Sequence, residues 1–405
     1  MGTKSKEALL AEDFEEEALV YFQQVLSAIT DPRRKQGQRY PLKSVLIILL
    51  LANIAGANSA MGFEVWAQMN EEELVKHLEL PHGVPTQDVF LMLLASLDFN
   101  EFCSLYDAWI PVCLSQSGQA LNNEHLACDG KTSRRSYDSK TGKLSAHTLG
   151  VMAVRNGILL SQMDCSRKTN EISTIPAILK RLSLKGATVT IDAIATQTQI
   201  METIVDNGGD FIIGLKGNQR KLYEDAKTLA QACKTKVDSD KIKDKLEYAV
   251  EVDKGHGRIE QREIYVARNI NSSLREPEKW NKVMSIIMVV RTVTKLNPKE
   301  NQPIVTTETQ YYVTNKTNAP AEKLGIFIRD HWKIENSCHW VLDVVFREDD
   351  ARNRAGNSAK NFAILRRMAL AILKSDNSKL SINLRRMKAG WCFNYLINLV
   401  GFKEN

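Results

Sequence analysis

The feature that most constrains the fold is the order of predicted strands and helices between residues 124 and 235. A short apolar run at 125–128 precedes two β-like runs at 145–154 and 158–164, which flank the turn Arg155-Asn156-Gly157. Asn-Gly between two such runs is typical of a β-hairpin. Beyond it, the apolar periodicity predicts a helix at 172–182, a strand at 187–191, a helix at 196–206, a strand at 210–215 and a polar helix at 218–234.

Three antiparallel strands followed by strand–helix crossovers indicate an α/β fold with a ribonuclease H-like core. Residues 236–319 depart from that order and are too long for an unstructured loop, so we expect a β-rich insertion there. Helical periodicity returns at Ala321 and is predicted to continue to about Leu342. The strand-like runs of the insertion are 246–252, 257–268, 283–294 and 304–313.

The first 120 residues are predicted to form an α-helical N-terminal domain. Their longest uncharged run, Ser44–Phe63, is barely long enough to span a membrane, and polar residues and glycines fill its second half. A buried helix of a soluble core is therefore the better interpretation. The expected organisation is a helical DNA-binding or associated domain at 1–120, a core at 121–235 and 320–375, the insertion at 236–319, and a basic tail at 376–405.

Charge is distributed unevenly along the chain. The formal net charge is +6, from 54 Lys and Arg against 48 Asp and Glu. Residues 347–388 alone contain 11 bases and four acids, so this one segment exceeds the net charge of the whole chain. A local basic block on a neutral body favours a polyanionic partner. The seven cysteines show no C-x-x-C spacing, and the first 20 residues show no signal peptide, which together predict reduced thiols in the cytoplasm.

Two acids follow predicted strands directly. Asp129 comes after 126–128, and Asp192 comes after 189–191. Because the carboxyl ends of parallel strands face the functional crevice, these acids are expected to lie together, and a following helix could add Glu335. Converging carboxylates repel one another unless divalent cations neutralise them, which favours two Mg²⁺ ions. The alternative is that each Asp is an ordinary turn or cap residue and that Glu335 is a solvated helix position.

Several motifs together resemble the H-repeat-associated insertion-sequence transposases, which belong to the DDE transposase class. The resemblance covers nearly the whole chain, and it depends on the set of motifs because no single one is specific. The motifs are Leu126-Ala-Cys-Asp-Gly-Lys131, Thr190-Ile-Asp-Ala193, Gly214-Leu-Lys-Gly-Asn-Gln219, His331-Trp-Lys-Ile-Glu-Asn336, His339-Trp-Val-Leu-Asp-Val344 and Phe346-Arg-Glu-Asp-Asp-Ala-Arg352.

The resemblance implies that Asp129, Asp192 and Glu335 are the catalytic and metal-binding acids, with Mg²⁺ as the cofactor and Mn²⁺ able to substitute. It also implies a β-rich insertion before the helix that carries Glu335. Related transposases with this insertion often carry a Tyr, an Arg and a Lys around the Glu to grip DNA phosphate. Those positions here hold Ile328, His331 and Leu342, so the signature is absent.

His331, Glu335 and His339 recur every fourth residue, which places them on one face of a predicted helix. We expect this polar face to turn toward the crevice, although a hydrogen-bonded, partly buried histidine is the simpler interpretation of His339. Trp332 and Trp340 are predicted to anchor the core, at a spacing that fits a packing stripe. Rival carboxylates are Asp343, Asp349 and Asp350.

Candidate DNA contacts come from three places: the small basic loop near residue 35, the loops after the predicted strands, and the basic block. Two of these candidates have simpler interpretations. Lys131 could be a solvated lysine, and the 216–219 loop could be an ordinary loop with an Asn cap. Contacts of this kind position DNA without reading its sequence. The candidates are Arg33, Arg34, Lys35, Lys131, Lys216, Asn218, Gln219, His331, His339, Arg347, Arg352, Arg354, Arg366, Arg367, Arg385, Arg386 and Lys388.

The function that unites these features is DNA transposition. The resemblance implies metal-dependent cleavage at insertion-sequence ends, then strand transfer of the freed 3′-hydroxyl into target DNA. Its implied partners are double-stranded DNA (terminal inverted repeats and target) and further copies of the chain, as a homodimer or higher assembly on bacterial nucleoid DNA. Two alternatives remain: a ribonuclease H-like nuclease without strand transfer, and a transposase-derived DNA-binding protein with a dead site.

Overall fold

The computed structural model describes residues 24–116, 124–137, 142, 144–165, 171–237, 246–255, 257–296 and 302–400. The described chain is a mixed α/β protein with a large sheet and many helices. It divides into two compact units. We call Met1–Leu121, Gly130–Asn170 and Glu335–Asn405 the helical unit, and Asn122–Asp129 and Glu171–Ile334 the sheet unit.

The helical unit is built around two buried helices. Leu42–Ile54 (α1) begins after Pro41 and is buried from Ser44 to its end, which explains why the helix has no charged residue after Lys43. Ser358–Ser375 (α11) places the amide of Asn361 against the main-chain oxygens that end an earlier helix. The other helices of this unit are Ala60–Met69 (α2), Glu71–His77 (α3), Gln87–Ser96 (α4), Phe99–Gln116 (α5), Trp340–Val344 (α10), Ile382–Trp391 (α12) and Phe393–Val400 (α13).

Within the described residues, no single helix is both long and apolar enough to cross a membrane. The pair α4 and α5 reaches that composition only when taken together, and the two helices meet at an angle of 92°.

The predicted hairpin of the helical unit is confirmed. Strands His147–Ala153 (β2) and Ile158–Asp164 (β3) pair antiparallel, with one register shift between Val151 and Met152. Gly157 closes the turn at a φ of 65°, a left-handed conformation that costs glycine little. The strand before this hairpin in the chain is His125–Thr132 (β1).

The sheet unit has the strand order β1-β4-β5-β9-β8-β7-β6. Pairing is parallel from β1 to β4 and from β4 to β5, and antiparallel from β5 onward. The strands are Thr188–Ile191 (β4), Asp210–Leu215 (β5), Leu246–Gly255 (β6), Arg258–Arg268 (β7), Ser285–Leu296 (β8) and Pro303–Thr314 (β9). The helices are Glu171–Leu179 (α6), Thr198–Asp206 (α7), Arg220–Val237 (α8) and Ala321–His331 (α9).

All four predicted strands of the β-rich segment are present as β6–β9. The last of them, β9, pairs with β5 through Ile212↔Thr314 and the residues that follow, so this segment extends the sheet. Helix α9 lies against it, with Leu324 and Ile328 packed on Ile264 and Ile287. Hydrophobic burial on both sides of these strands therefore fixes the helix that leads to Glu335.

The single helix predicted over 321–342 is wrong. Helix α9 ends at His331, a π-helical turn spans Ile334–His339, and α10 begins at Trp340. A π turn bonds each residue to the one five positions back, so it breaks the regular helical repeat around Glu335. Trp332 and Trp340, expected in the core, are 52% and 56% exposed.

Candidate active site

Asp129 and Asp192 follow residues that pair across neighbouring parallel strands. The last pair in the register of β1 and β4 is Cys128↔Ile191, so the two aspartates occupy corresponding positions at one edge of the sheet. Neighbouring strands lie about 4.8 Å apart, so the two aspartates start from adjacent backbone positions. Asp129 is half-buried, whereas the side chain of Asp192 is 68% exposed.

The segment after Asp192 is held by side chains from the loop after β5. A short 3₁₀ turn, Ala193–Ala195, follows Asp192. Asn218 donates its amide N–H to the oxygen of Ala193 at 2.8 Å, and Gln219 donates to the oxygen of Thr196 at 2.9 Å. Both residues were expected on DNA, and in this structure their amides hold the backbone that carries Asp192. Lys216, in the same loop, is exposed.

A chain of hydrogen-bonded side chains stands behind Asp192. Thr190 Oγ1 lies 2.9 Å from His125 Nε2 and 2.9 Å from His331 Nδ1. The other ring nitrogen of His331, Nε2, lies 3.9 Å from Asp192 Oδ1. Sequence reasoning missed Thr190 and His125; the signal available was a polar side chain in each of two strands that are buried at these positions.

Burial controls the ionisation of these groups. It lowers the pKa of His125 to about 3, with smaller contributions from His331 and Lys333. Burial also lowers the pKa of His331, although the charge of Asp192 and, to a smaller extent, the Thr190 main chain oppose the shift. The thiol of Cys128 has a raised pKa because it is fully buried beside Asp129. Both imidazoles are therefore neutral at physiological pH, and the thiol stays protonated.

A cavity of about 370 Å³ opens beside Asp192 within the sheet unit. Its walls include Lys216, Tyr311, Tyr312 and the exposed ring of Trp332. Burial, followed by the charge of Asp192, raises the pKa of Tyr312, so its hydroxyl remains a neutral donor and acceptor.

Glu335 is exposed in the π-helical turn at the start of the last segment of the helical unit. The turn is anchored by Lys374, whose Nζ donates to the oxygen of Ser337 at 2.8 Å and to that of Gly157 at 2.5 Å. π turns of this kind are frequent at functional sites. The position of this turn is thus set by the hairpin and by α11, both in the helical unit.

Lys131 carries an acid partner in the helical unit. Its ammonium is buried and lies 2.5 Å from Asp343 Oδ1. Burial raises the pKa of Asp343, and the bond from Lys131 opposes that shift. His339, nearby, has its pKa lowered to about 3 by burial and then by the charges of Lys131 and Arg367. Lys131 therefore neutralises Asp343, a rival carboxylate in the sequence.

Several basic residues that were expected to contact DNA are buried in the helical unit. Arg366, Arg367 and Arg386 are less than 5% exposed. Arg367 donates to Glu348 at 3.2 Å, and Arg386 donates to the main-chain oxygen of Val345 at 2.6 Å. These three guanidinium groups are enclosed inside the fold, so in this structure they are not available to contact DNA phosphate.

The other basic residues that were expected to contact DNA also include both buried and exposed side chains. Arg33 is buried in a bidentate pair with Asp31, and Arg385 donates to the main-chain oxygen of Leu373. Arg347, with a left-handed φ of 53°, is exposed and donates to Asp350 at 3.1 Å. Among the basic residues predicted to contact DNA, the exposed ones are Arg34, Lys35, Lys216, Arg347, Arg352, Arg354 and Lys388.

The donor set at the strand ends fits a hard divalent cation, because Mg²⁺ prefers carboxylate oxygens and keeps water in its remaining positions. The exposed carboxylate of Asp192 leaves room for those waters. No group of three or more His, Cys, Asp or Glu side chains within metal-binding distance occurs in the described part of the chain.

Comparison with known families identifies the class. The model of the DDE_Tnp_1-associated region matches residues 23–110, and that of the transposase DDE domain matches residues 111–372. The chain therefore belongs to the transposase DDE domain family, whose members generally use divalent metal ions. Membership places it in the nuclease and transposase class of enzymes that act on DNA.

Two relatives named as putative transposases agree with this assignment. The chain is 28% identical over 380 residues to the "H repeat-associated putative transposase YhhI" of Escherichia coli strain K12, covering 93% of this chain and 96% of the relative. It is 30% identical over 350 residues to the "Putative transposase YncI" of Escherichia coli O157:H7, covering 86% of each. Among solved structures, the piggyBac transposase synaptic complex with hairpin DNA is similar at a TM-score of 0.43 and 10% identity, covering 95% of this chain and 80% of that one.

Proposed function

We propose that this protein cleaves DNA at the ends of an insertion sequence and joins the freed 3′-hydroxyl to target DNA. The observation that carries the proposal is the placement of Asp129 and Asp192 directly after Cys128 and Ile191, the last paired residues of β1 and β4, in a chain of the transposase DDE domain family. Glu335 is proposed as the third acid from its motif, His331-Trp-Lys-Ile-Glu-Asn336. The protein would act on bacterial DNA in the cytoplasm, as an assembly of copies on the two ends.

Asp129, Asp192 and Glu335 would hold the divalent ions, Mg²⁺ or Mn²⁺. When bound, such ions polarise the scissile phosphate and lower the pKa of water or of a sugar hydroxyl, which makes either a better nucleophile. The protein's own residues supply position. The amides of Asn218 and Gln219 hold the backbone after Asp192, and Lys374 holds the turn that presents Glu335.

Exposed basic side chains would hold the DNA. Arg352 and Arg354 are exposed within the basic block, and Lys216 is exposed in the loop next to the cavity. Contacts to phosphate from such side chains position the duplex and make binding salt-dependent. Arg34 and Lys35, which are both exposed, are proposed to contact the terminal repeats from the N-terminal region.

The test of the acids uses full-length protein and a labelled duplex that carries the element's own end, taken from its flanking inverted repeats. Asp129→Asn, Asp192→Asn and Glu335→Gln are expected to lower Mg²⁺-dependent cleavage by at least about 100-fold, because each removes a metal-binding charge. DNA affinity, measured by gel shift, should change little. Asp206→Asn and Glu202→Gln on α7 are matched controls, since both acids are exposed and lie outside the strand ends.

Wild-type cleavage by Asp192→Asn would refute the assignment of that acid. A second assay separates a transposase from a nuclease: an oligonucleotide that ends in the element's 3′-hydroxyl is incubated with supercoiled plasmid and Mg²⁺. Joined products support strand transfer. Cutting without joining would establish the nuclease, and binding without either reaction would establish the DNA-binding protein with a dead site.

A further inference from the structure

The imidazole of His331 is placed between a buried hydroxyl and an exposed acid, all within the sheet unit. Its Nδ1 lies 2.9 Å from Thr190 Oγ1, a normal hydrogen-bond distance. Its Nε2 lies 3.9 Å from Asp192 Oδ1, which is too long for a direct bond. Because Asp192 is exposed and free to rotate while the ring is enclosed, a small rotation of the carboxylate brings the two groups into contact.

The hydroxyl of Thr190 has one proton and three neighbours that could receive or supply one. They are His125 Nε2 at 2.9 Å, His331 Nδ1 at 2.9 Å and the main-chain oxygen of Leu126 at 3.3 Å. If Thr190 donates to Leu126, both histidines must donate to Thr190. A neutral His331 would then turn the lone pair of Nε2 toward the carboxylate of Asp192, which is repulsive.

The arrangement without repulsion runs in one direction. His125 donates Nε2–H to Thr190, Thr190 donates its hydroxyl proton to His331 Nδ1, and His331 directs Nε2–H at Asp192. Each donor then meets an acceptor. The edge of the His125 ring also packs against Phe327, with ring centroids 4.9 Å apart, which fixes the start of the chain. The chain thus defines both the tautomer and the orientation of His331.

We propose that His331 is a positioning residue whose Nε2–H, set by Thr190 and His125, orients the carboxylate of Asp192 for metal binding. The inference rests on the proposed function of Asp192. One carboxylate oxygen is held by the imidazole and the other remains for the cation, as is usual where ligating carboxylates are hydrogen-bonded by neighbouring side chains. His331 itself touches neither metal nor DNA in this role.

The first test requires no metal. Full-length protein labelled with ¹⁵N-histidine gives long-range ¹H–¹⁵N spectra that report the tautomer of each ring, and the signal absent from His331→Gln identifies His331. The expected result is a protonated Nε2 and an unprotonated Nδ1 on His331. A protonated Nδ1 with an unprotonated Nε2 would overturn the proposal, because the ring would then have no donor for Asp192.

The second test measures Mn²⁺ affinity by the electron paramagnetic resonance signal of the free ion. Asparagine reaches only as far as Nδ1, whereas the amide of glutamine reaches the place of Nε2. His331→Asn is therefore expected to weaken Mn²⁺ binding about 10- to 100-fold, with His331→Gln closer to wild type. Thr190→Val should also weaken binding, and Thr190→Ser should restore it. Circular dichroism checks that each variant is folded.

The matched control is His147→Asn. His147 Nδ1 lies 2.7 Å from Thr132 Oγ1, so a buried histidine pairs with a threonine hydroxyl here too, but with an exposed threonine and in the helical unit. This variant should bind Mn²⁺ like the wild type. Normal affinity in His331→Asn, with binding still weakened in Asp192→Asn, would overturn the positioning role alone. Normal affinity in Asp192→Asn would instead overturn the proposed function on which that role depends.

Discussion

Replacing His125 with glutamine should change the pH dependence of stability in the sheet unit. Burial lowers the pKa of His125 to about 3, against an ordinary value of 6.5. Above pH 6.5 the ring is neutral in both the folded and the unfolded chain, so it adds no pH dependence. Between pH 6.5 and 3 the unfolded chain binds a proton that the folded chain does not, and stability falls as the pH falls.

The size of the effect follows from these two pKa values. Linkage gives a loss of about 2 kcal/mol at pH 5 relative to pH 7.5 from this ring alone. Glutamine keeps a donor for Thr190 but does not titrate, so the variant should lose about 1 kcal/mol at pH 7.5 from altered hydrogen bonding and packing. At pH 5 the variant should therefore be at least as stable as the wild type.

Urea unfolding followed by hydrogen-exchange mass spectrometry measures this locally, in peptides that contain β1 and β4. The wild-type and variant free energies of unfolding should converge and cross between pH 7.5 and pH 5. Titration of other groups, including His331, contributes to both curves and cancels in the difference to the extent that replacing His125 leaves those groups unchanged. Two parallel curves would refute the claim that His125 is held neutral by burial.

Three further perturbations test other parts of the structure. Glu348→Ala leaves the buried guanidinium of Arg367 without its carboxylate and should cost about 3–5 kcal/mol in chemical denaturation, whereas a loss below about 1 kcal/mol would contradict the buried pair. Gly214→Ala places a methyl group 3.1 Å from the nitrogen of Ala193, so we expect about 1–3 kcal/mol of strain and weaker Mn²⁺ binding; unchanged values in titration and denaturation would show that the loop yields. Arg354→Gln removes one exposed base, and the slope of log affinity against log salt should fall by about 0.9; an unchanged slope would remove Arg354 from the DNA interface.

Much of the strand order could be predicted because its signals are local. The hairpin follows from Asn156-Gly157 between β-like runs, and the four strands β6–β9 follow from their enrichment in β-branched residues. The pairing of β9 with β5 was not predictable in the same way. It joins residues about 100 positions apart, and nothing in either strand specifies the other.

The turn that carries Glu335 shows why spacing alone failed. The i, i+4 spacing predicts a regular α-helix with bonds four residues back, whereas Ile334–His339 forms a π turn with bonds five residues back. The turn is held from elsewhere in the chain: Lys374 donates to the carbonyl oxygens of Ser337 and Gly157, which ties the turn to α11 and the hairpin. A local pattern contains no information about such partners.

The composition predicted a polyanionic partner from the basic block, and the structure supports that reasoning only in part. The basic block of residues 347–388 suggested a polyanion, yet Arg366, Arg367 and Arg386 serve the interior of the helical unit. A buried guanidinium must have a charged or polar partner, as Arg367 has in Glu348, and such a pair contributes nothing to an external field that favours DNA. Only exposed basic side chains can attract phosphate. DNA binding by this segment is therefore inferred from exposed residues such as Arg352 and Arg354, and not from the number of charges.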